Sequence, residues 1–195
     1  SVAGPMGLAL MGVDKLLLGG TLTNAFSGIV NSVLGGVFGK TSVSQSLTDS
    51  GIYFADTLLS SAIKEFDGQA YQTITTTTTK KSWFSKSSSS VVQSYFDQLD
   101  AQTERQFSLV LDNLYNTVLV SGTALDSASE QTANSLSNFV VSLGKISLKD
   151  KTGTQIQEEL TNVFAKVGDD LARTAFPLLN DFQKVGEGLF TTLTR

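Results

Sequence analysis

The 195-residue chain contains no cysteine and no histidine. Without cysteine it forms no disulfide and offers no thiol nucleophile. Without histidine it cannot build a histidine-based catalytic triad, and the usual zinc and haem ligand sets are excluded. Only carboxylates, lysines, tyrosines and hydroxyls are left for any chemistry.

The chain is also poor in charge. Charged residues make up 16% of it, against roughly 25% in an average soluble domain. Its 14 basic and 18 acidic residues give a net charge of −4. We therefore expect no specific nucleic-acid binding, which needs a basic face to neutralise phosphates. The length fits one domain, or one domain with an appendage, and because the first residue is Ser we expect a segment of a longer chain.

Three short patterns are similar to catalytic motifs, and none is complete. The run GGVFGKT lacks the first glycine of a phosphate-binding loop, because that position holds Leu34. Ser61 with Lys64, and Ser142 with Lys145, have the spacing of a Ser–Lys nucleophile without its companion motifs. We expect a protein that is not an enzyme, with no catalytic residue, cofactor, metal or small-molecule substrate.

Residues 1–40 form the first predicted unit, a Gly-rich apolar helical segment that holds nine of the 17 glycines. Residues 16–39 carry no charge, and about 20 residues are enough for a helix to span a bilayer. Gly28, Ser32 and Gly36 recur at every fourth position, a spacing that lets two helices approach closely, as membrane helices do. Two interpretations stay open: a helix packed tightly in a soluble protein or oligomer, and a membrane-active stretch.

Residues 41–195 form the second predicted unit, a helical body that carries a β-hairpin at about 70–96. Apolar residues at spacings of three and four predict helices over residues 49–68, 97–119, 127–136, 152–174 and 178–193. Ser127 with Glu130, and Thr152 with Gln155, form capping boxes. The alternation in residues 139–149 predicts one further short strand with a bulge near Gly144.

The hairpin is predicted from five consecutive threonines at 75–79, because β-branched residues favour strands. Trp83 and Phe84 lie near its tip. Hydroxyls on both sides leave this strand no apolar face, so we expect it to project or to pair with another chain, with the tip as a partner contact. A disordered linker, and a tip that folds back onto the body, are the alternatives. The predicted fold class is α+β, mostly helical, with a long hairpin and one further strand in a small antiparallel sheet.

The order of several short segments resembles the later, C-terminal side of the tail tape measure proteins of long-tailed bacteriophages. The resemblance covers roughly residues 51–190 and rests on the shared order of these pieces: GIYFADTLL at 51–59, GQAY at 68–71, KKSWF at 80–84, RQFSLVL at 105–111, VSLGKISLKD at 141–150, TG at 152–153, FP at 176–177 and VGEGLF at 185–190. The family is usually much longer than this chain.

The resemblance implies a structural protein of the virion, located in the tail lumen or the tail tip. It implies association with itself, commonly as a homotrimer, and contacts with the tail tube and with distal tail or tail-tip proteins. Such a protein sets tail length during assembly and leaves the tube ahead of the DNA to assist genome passage through the host envelope, where residues 16–39 would meet the host membrane. The alternative is a secreted pore-forming or surface interaction protein that inserts residues 16–39 in a membrane.

Overall fold

The computed structural model describes residues 45–81, 86–124, 129–184 and 186–194. In chain order the elements are β1 (Gln45–Phe54), β2 (Thr57–Leu58), α1 (Leu59–Ala62), β3 (Gly68–Lys81), β4 (Lys86–Gln98), α2 (Ala101–Ala124), α3 (Ser129–Leu136), β5 (Val140–Val141), β6 (Gly144–Ser147), α4 (Gly153–Ala175), a 3₁₀ helix (Pro177–Phe182) and α5 (Leu189–Thr194). The fold is α+β, as predicted.

A four-stranded antiparallel sheet of order β4-β3-β1-β6 forms one layer of the molecule. The hairpin of β3 and β4 pairs continuously from Gln69 with Gln98 to Lys81 with Lys86, so the predicted hairpin is confirmed. Strand β1 accompanies β3 only as far as Thr76, and β6 lies beside β1 only from residue 51 to residue 54. The sheet therefore narrows from four strands at its base to a two-stranded ribbon towards the tip.

The helix predicted over residues 49–68 is wrong. Strand β1 occupies its first part, and only α1 is helical. Ile52 and Phe54 are buried as alternate residues of a strand, whereas Ala55, on the predicted apolar face, is exposed. Spacings of three or four over so short a segment do not distinguish a helix from a strand, and pairing with β3 decides the outcome.

The helices pack against one face of the base of the sheet, here called the inner face. Ile52, Phe54 and Ile146 of this face lie in one buried cluster with residues of α2 and α4. The ring centroids of Phe54 and Phe107 are 5.0 Å apart, and Phe107 stacks on Phe164 at 5.5 Å. Aromatic contacts thus join the sheet to α2 and α2 to α4.

The two long predicted helices are present, with local signals at their starts, but α2 begins at Ala101 and not at residue 97, because β4 extends to Gln98. The carboxylate of Asp100 accepts hydrogen bonds from the N–H groups of Gln102 and Thr103 at 3.1 and 3.0 Å, which satisfies free donors of the first turn of α2. The capping box of Thr152 and Gln155 opens α4 as predicted. Helix α2 passes through Gly122 instead of ending there. A Cβ at this position would lie 2.7 Å from the Thr132 hydroxyl, so the glycine allows α3 to approach closely.

Two other elements differ from the prediction. Residues 139–149 hold two short strands of different sheets, β5 paired with β2 and β6 paired with β1, and Gly144 has a φ of 62°. The helix predicted over 178–193 is split into the 3₁₀ helix and α5. Gly188 lies in the break, where a Cβ would be 2.7 Å from the Asp169 carboxylate. Ser127 of the predicted α3 capping box lies outside the described residues.

Candidate functional site

A cluster of polar side chains lies on the outer face of the sheet, opposite the helices. Alternation along each strand and the pairing register place Asp49, Tyr71, Lys145 and Ser147 on this face; we call them the outer-face cluster. Asp49 follows an irregularity in the register of β1 with β3. Such bulges redirect a side chain locally, and here the carboxylate lies between its two neighbouring strands.

The Asp49 carboxylate accepts three hydrogen bonds. Oδ1 accepts from the Ser147 hydroxyl at 2.6 Å and from the Ser50 N–H at 2.9 Å, and Oδ2 accepts from the Tyr71 hydroxyl at 2.9 Å. Lys145 Nζ lies 4.8 Å from the centre of the Tyr71 ring and 5.5 Å from that of Phe96, within the range of a cation–π contact. One carboxylate thus links β1 to both β3 and β6.

These contacts alter two pKa values in opposite directions. Burial alone would raise the pKa of Asp49, but hydrogen bonds from Ser147, Tyr71 and the Ser50 N–H, with the charge of Lys145, outweigh it and lower this pKa. Burial, followed by the hydrogen bond and the charge of Asp49, raises the pKa of Tyr71 to about 12. A carboxylate with a lowered pKa is a weak base, and a tyrosine that holds its proton so firmly is a weak acid. This arrangement favours a clamp between strands over a catalytic group.

The second candidate site is the stretch of β4 from Val91 to Phe96, which lies beside the part of β3 that also pairs with β1. Val91 and Val92 are each 64% exposed, and Tyr95 and Phe96 are 47% and 43% exposed. Because consecutive residues of a strand point to opposite faces, these four place apolar surface on both faces of β4. Sheets with water on both sides normally present polar residues there, so exposed apolar pairs indicate a contact surface.

Hydroxyl groups are frequent along the rest of the hairpin. Thr73 and Ser94 lie 2.9 Å apart between their hydroxyl oxygens, and Thr77 and Ser90 lie 3.1 Å apart. Each pair faces across β3 and β4 in the register, and cross-strand hydroxyl pairs of this kind stabilise a sheet modestly. The run of threonines therefore supports the ribbon without a hydrophobic core.

The predicted binding residues have different outcomes. Gly28, Ser32 and Gly36, and the tip residues Trp83 and Phe84, lie outside the described residues, so their roles stay predictions. The apolar stripe that predicts α2 is buried against the chain's own core, from Phe107 to Val118. It packs within the chain, and the expected association of copies stays a prediction.

The incomplete catalytic patterns do not assemble into a pair. The Ser142 hydroxyl donates to Asp56 Oδ1 at 2.6 Å, whereas Lys145 lies against Tyr71. Ser61 and Lys64 are both exposed. Within the residues that the structure describes, no group of three or more carboxylates is arranged to hold a metal ion.

Two further groups have raised pKa values. Burial raises the pKa of Asp169, and a hydrogen bond from the Phe190 N–H at 2.9 Å opposes this rise. The same hydrogen bond joins the start of α5 to α4. Burial, with the nearby charges of Asp67, Glu65 and Asp100, raises the pKa of Glu104.

A cleft of about 320 Å³ lies between β5 and α4, with Lys166 and Asp170 in its lining.

Comparison of this chain with protein-family models, with characterised proteins and with solved structures gave no match. Among the described residues, every helix is too short or too polar to cross a membrane.

The outer-face cluster was missed from the sequence because residues 49–54 were interpreted as part of a helix. A strand assignment there would have put Asp49, Gly51 and Tyr53 on one face.

Proposed function

We propose that this chain is a segment of a bacteriophage tail tape measure protein and that its role is structural. In this proposal it lies in the tail tube or tail tip, sets tail length during assembly, and leaves the virion at infection to assist passage of the genome through the host envelope. No catalytic step is assigned to it.

The observation that carries the proposal is the ribbon. The core closes around the base of the sheet, while β4 keeps four large apolar side chains exposed on its two faces. Beyond Thr76, where β1 ends, the hairpin is a two-stranded ribbon, which is marginally stable alone in water. The exposed apolar surface of β4 lies directly below this ribbon, and such a surface is typical of an interaction site. A body that presents such a ribbon suits a chain that works by contacting other proteins.

The division of roles within the chain follows from this. The helical body holds the base of the ribbon, and Trp83 and Phe84 at its tip contact a protein near the distal end of the tail. Copies associate through residues 16–39, as three on the family resemblance, since the α2 stripe is already buried. Those same residues meet the host membrane on ejection.

The proposal is tested by changing the tip in an infectious phage that encodes this chain. We expect a double variant, Trp83→Ala with Phe84→Ala, to reduce the number of complete tails counted by electron microscopy. The matched control is Val120→Ala with Leu178→Ala, two exposed apolar residues outside the ribbon, and it should assemble as the wild type does. Equal tail counts for both double variants would contradict the proposed contact.

The alternative function is a pore-forming or surface interaction protein that inserts residues 16–39. The uncharged length of that segment favours it. Binding of the isolated chain to liposomes, and its loss when Ile29 and Val30 are both replaced by Asp, would support this alternative. Failure of the isolated chain to bind liposomes would count against this alternative.

A further inference from the structure

Strand β4 is the outer strand of the four-stranded sheet, and it lacks the features that normally protect an edge. Natural edge strands are short or carry proline, inward-pointing charges or bulges. Strand β4 has 13 residues, pairs with β3 without a register shift, and contains no proline and no charge from Ser87 to Phe96. Among the described strands it is therefore a long, regular edge with no partner on its outer side.

The register identifies which backbone groups point outward. The Leu99 N–H donates to the Gly68 carbonyl at 3.1 Å, so these facing residues form a hydrogen-bonded pair. Hydrogen-bonded and non-hydrogen-bonded pairs alternate along antiparallel strands. Odd-numbered residues of β4 therefore direct N–H and C=O to β3, and the even-numbered ones direct them away from the sheet: Ser88, Ser90, Val92, Ser94 and Phe96.

The side-chain contacts agree with this alternation. Thr73 with Ser94, and Thr77 with Ser90, have their hydroxyls within hydrogen-bonding distance. Both are non-hydrogen-bonded pairs in this assignment, and side chains lie closer together in such pairs.

We propose that the outer edge of β4 pairs antiparallel with the same edge of a second copy, about a two-fold axis at Val92. Facing residues in a sheet point to the same side, so a symmetric antiparallel pair must have one residue on the axis that faces its own copy. Val92 is the middle residue of β4, and only this choice overlaps the whole strand. Its N–H and C=O point outward, so the central pair is hydrogen-bonded.

The distribution of charge favours a second copy as the occupant. The tip end of the hairpin carries Lys80, Lys81 and Lys86, and the base end carries Asp97 and Asp100. Antiparallel pairing places the tip of each copy beside the base of the other, so the basic end of one hairpin lies at the acidic end of its partner. A parallel arrangement would instead place like charges together, which is unfavourable.

The apolar residues gain cover in the same arrangement. Val92 faces Val92 of the partner subunit across the axis. Val91 lies one residue from the axis, on the other face of the sheet. These are the two most exposed side chains among the large apolar residues of β4. This pairing is a contact of the chain in solution, different from the three-copy association proposed through residues 16–39 in the assembled tail, and it does not depend on the proposed function.

The absence of cysteine from the chain allows a direct test with single-cysteine variants of the full chain. In Val92→Cys, the two copies of residue 92 would have Cα atoms about 5.5 Å apart, within the span of a disulfide. In Ser90→Cys the same residues would lie roughly 14 Å apart along the strands. We expect a covalent dimer from Val92→Cys under mild oxidation, and about tenfold less from Ser90→Cys or Ser94→Cys alone, since that distance exceeds disulfide reach. An equimolar mixture of Ser90→Cys and Ser94→Cys should crosslink, because residue 90 faces residue 94 of the other copy.

A second variant tests the pairing without crosslinking. Val92→Pro removes an outward N–H and leaves the ladder to β3 intact, as proline at an edge strand does, whereas Val92→Thr keeps the N–H. We expect the proline variant to lose the dimer in sedimentation, and the threonine variant to keep it.

Three results would overturn the proposal. The first is equal crosslinking at 90, 92 and 94, which indicates copies aligned about a three-fold axis. The second is an oligomer whose mass is unchanged by Val92→Pro, which leaves the association through residues 16–39 standing. The third is a chain that stays monomeric at all concentrations and in which the β4 amides become protected from exchange only when tail proteins are added, which makes the occupant a strand of another protein.

Discussion

Replacement of Asp49 by Asn tests whether the outer-face cluster is a clamp that holds β1 to both β3 and β6. The amide keeps one acceptor oxygen but presents N–H donors where the carboxylate had only acceptors. The three hydrogen bonds are divided between the two carboxylate oxygens, so that each oxygen accepts at least one. Either orientation of the amide therefore turns its NH₂ group towards at least one donor. Hydrogen bonds to charged groups contribute about 1.5–3 kcal/mol each. We expect the free energy of unfolding to fall by about 2 kcal/mol, and the melting temperature by about 4–8 °C in a chain of this length.

The pH dependence gives this prediction a sign. Because the pKa of Asp49 is lowered in the folded protein, its stabilising contribution is present above the usual carboxyl pKa of about 3.9. The contribution is lost as the pH falls through the lowered value. The difference between wild type and Asp49→Asn should therefore be full at pH 7 and shrink towards pH 3. The raised pKa of Tyr71 should also fall in the variant, since Asp49 supplies part of the increase, while burial keeps it above the usual value.

The assays are urea unfolding at several pH values and spectrophotometric titration of the tyrosines. The control is Asp97→Asn, an exposed carboxylate on the neighbouring β4, which should change stability by about 0.5 kcal/mol or less. Wild-type stability for Asp49→Asn at pH 7 would refute the clamp. So would a loss of equal size at pH 7 and pH 3, because such a loss is independent of the charge.

Three further predictions concern the core and the helix junction. Phe107→Ala removes the ring between the sheet and α4 and should lower the free energy of unfolding by about 3–5 kcal/mol, whereas the exposed Leu109→Ala should change it by about 0.5 kcal/mol; similar losses in urea unfolding would contradict this placement. Gly51→Ala would put a Cβ 2.0 Å from the Ile146 carbonyl oxygen, so β6 should separate from β1 and its amide hydrogens should exchange faster; unchanged exchange would be the opposite result. Burial raises the pKa of Asp169, so the folded state takes up its proton first, and wild type should gain stability relative to Asp169→Asn as the pH falls from 7 towards 4. A relative loss over that range would reverse the expected sign.

The hairpin and the two long helices could be predicted from the sequence because their signals are local. Five β-branched threonines in a row favour a strand over a helix, because branching at Cβ restricts the side chain in a helix. The apolar stripe of α2 spans several turns, and the Thr152–Gln155 capping box marks the start of α4 within four residues. In such segments local propensity and tertiary packing agree.

Strand β1 could not be predicted in this way because its conformation depends on distant partners. It pairs with β3 and β6, and Ser147 lies 98 residues from Asp49 in the chain. Its own residues carry an ambiguous apolar spacing, and strand preferences depend strongly on the neighbours across the sheet. The outer-face cluster was missed for the same reason, since no motif links residues so far apart in sequence.

Whether this chain is a structural component of a phage tail is tested most directly by quantitative mass spectrometry of purified tails. We expect peptides from residues 45–195 to be recovered from intact tails at three copies per tail, and to be lost from particles that have ejected their DNA. Tails that lack these peptides, or a chain recovered instead from the membranes of cells without phage, would contradict the proposed function.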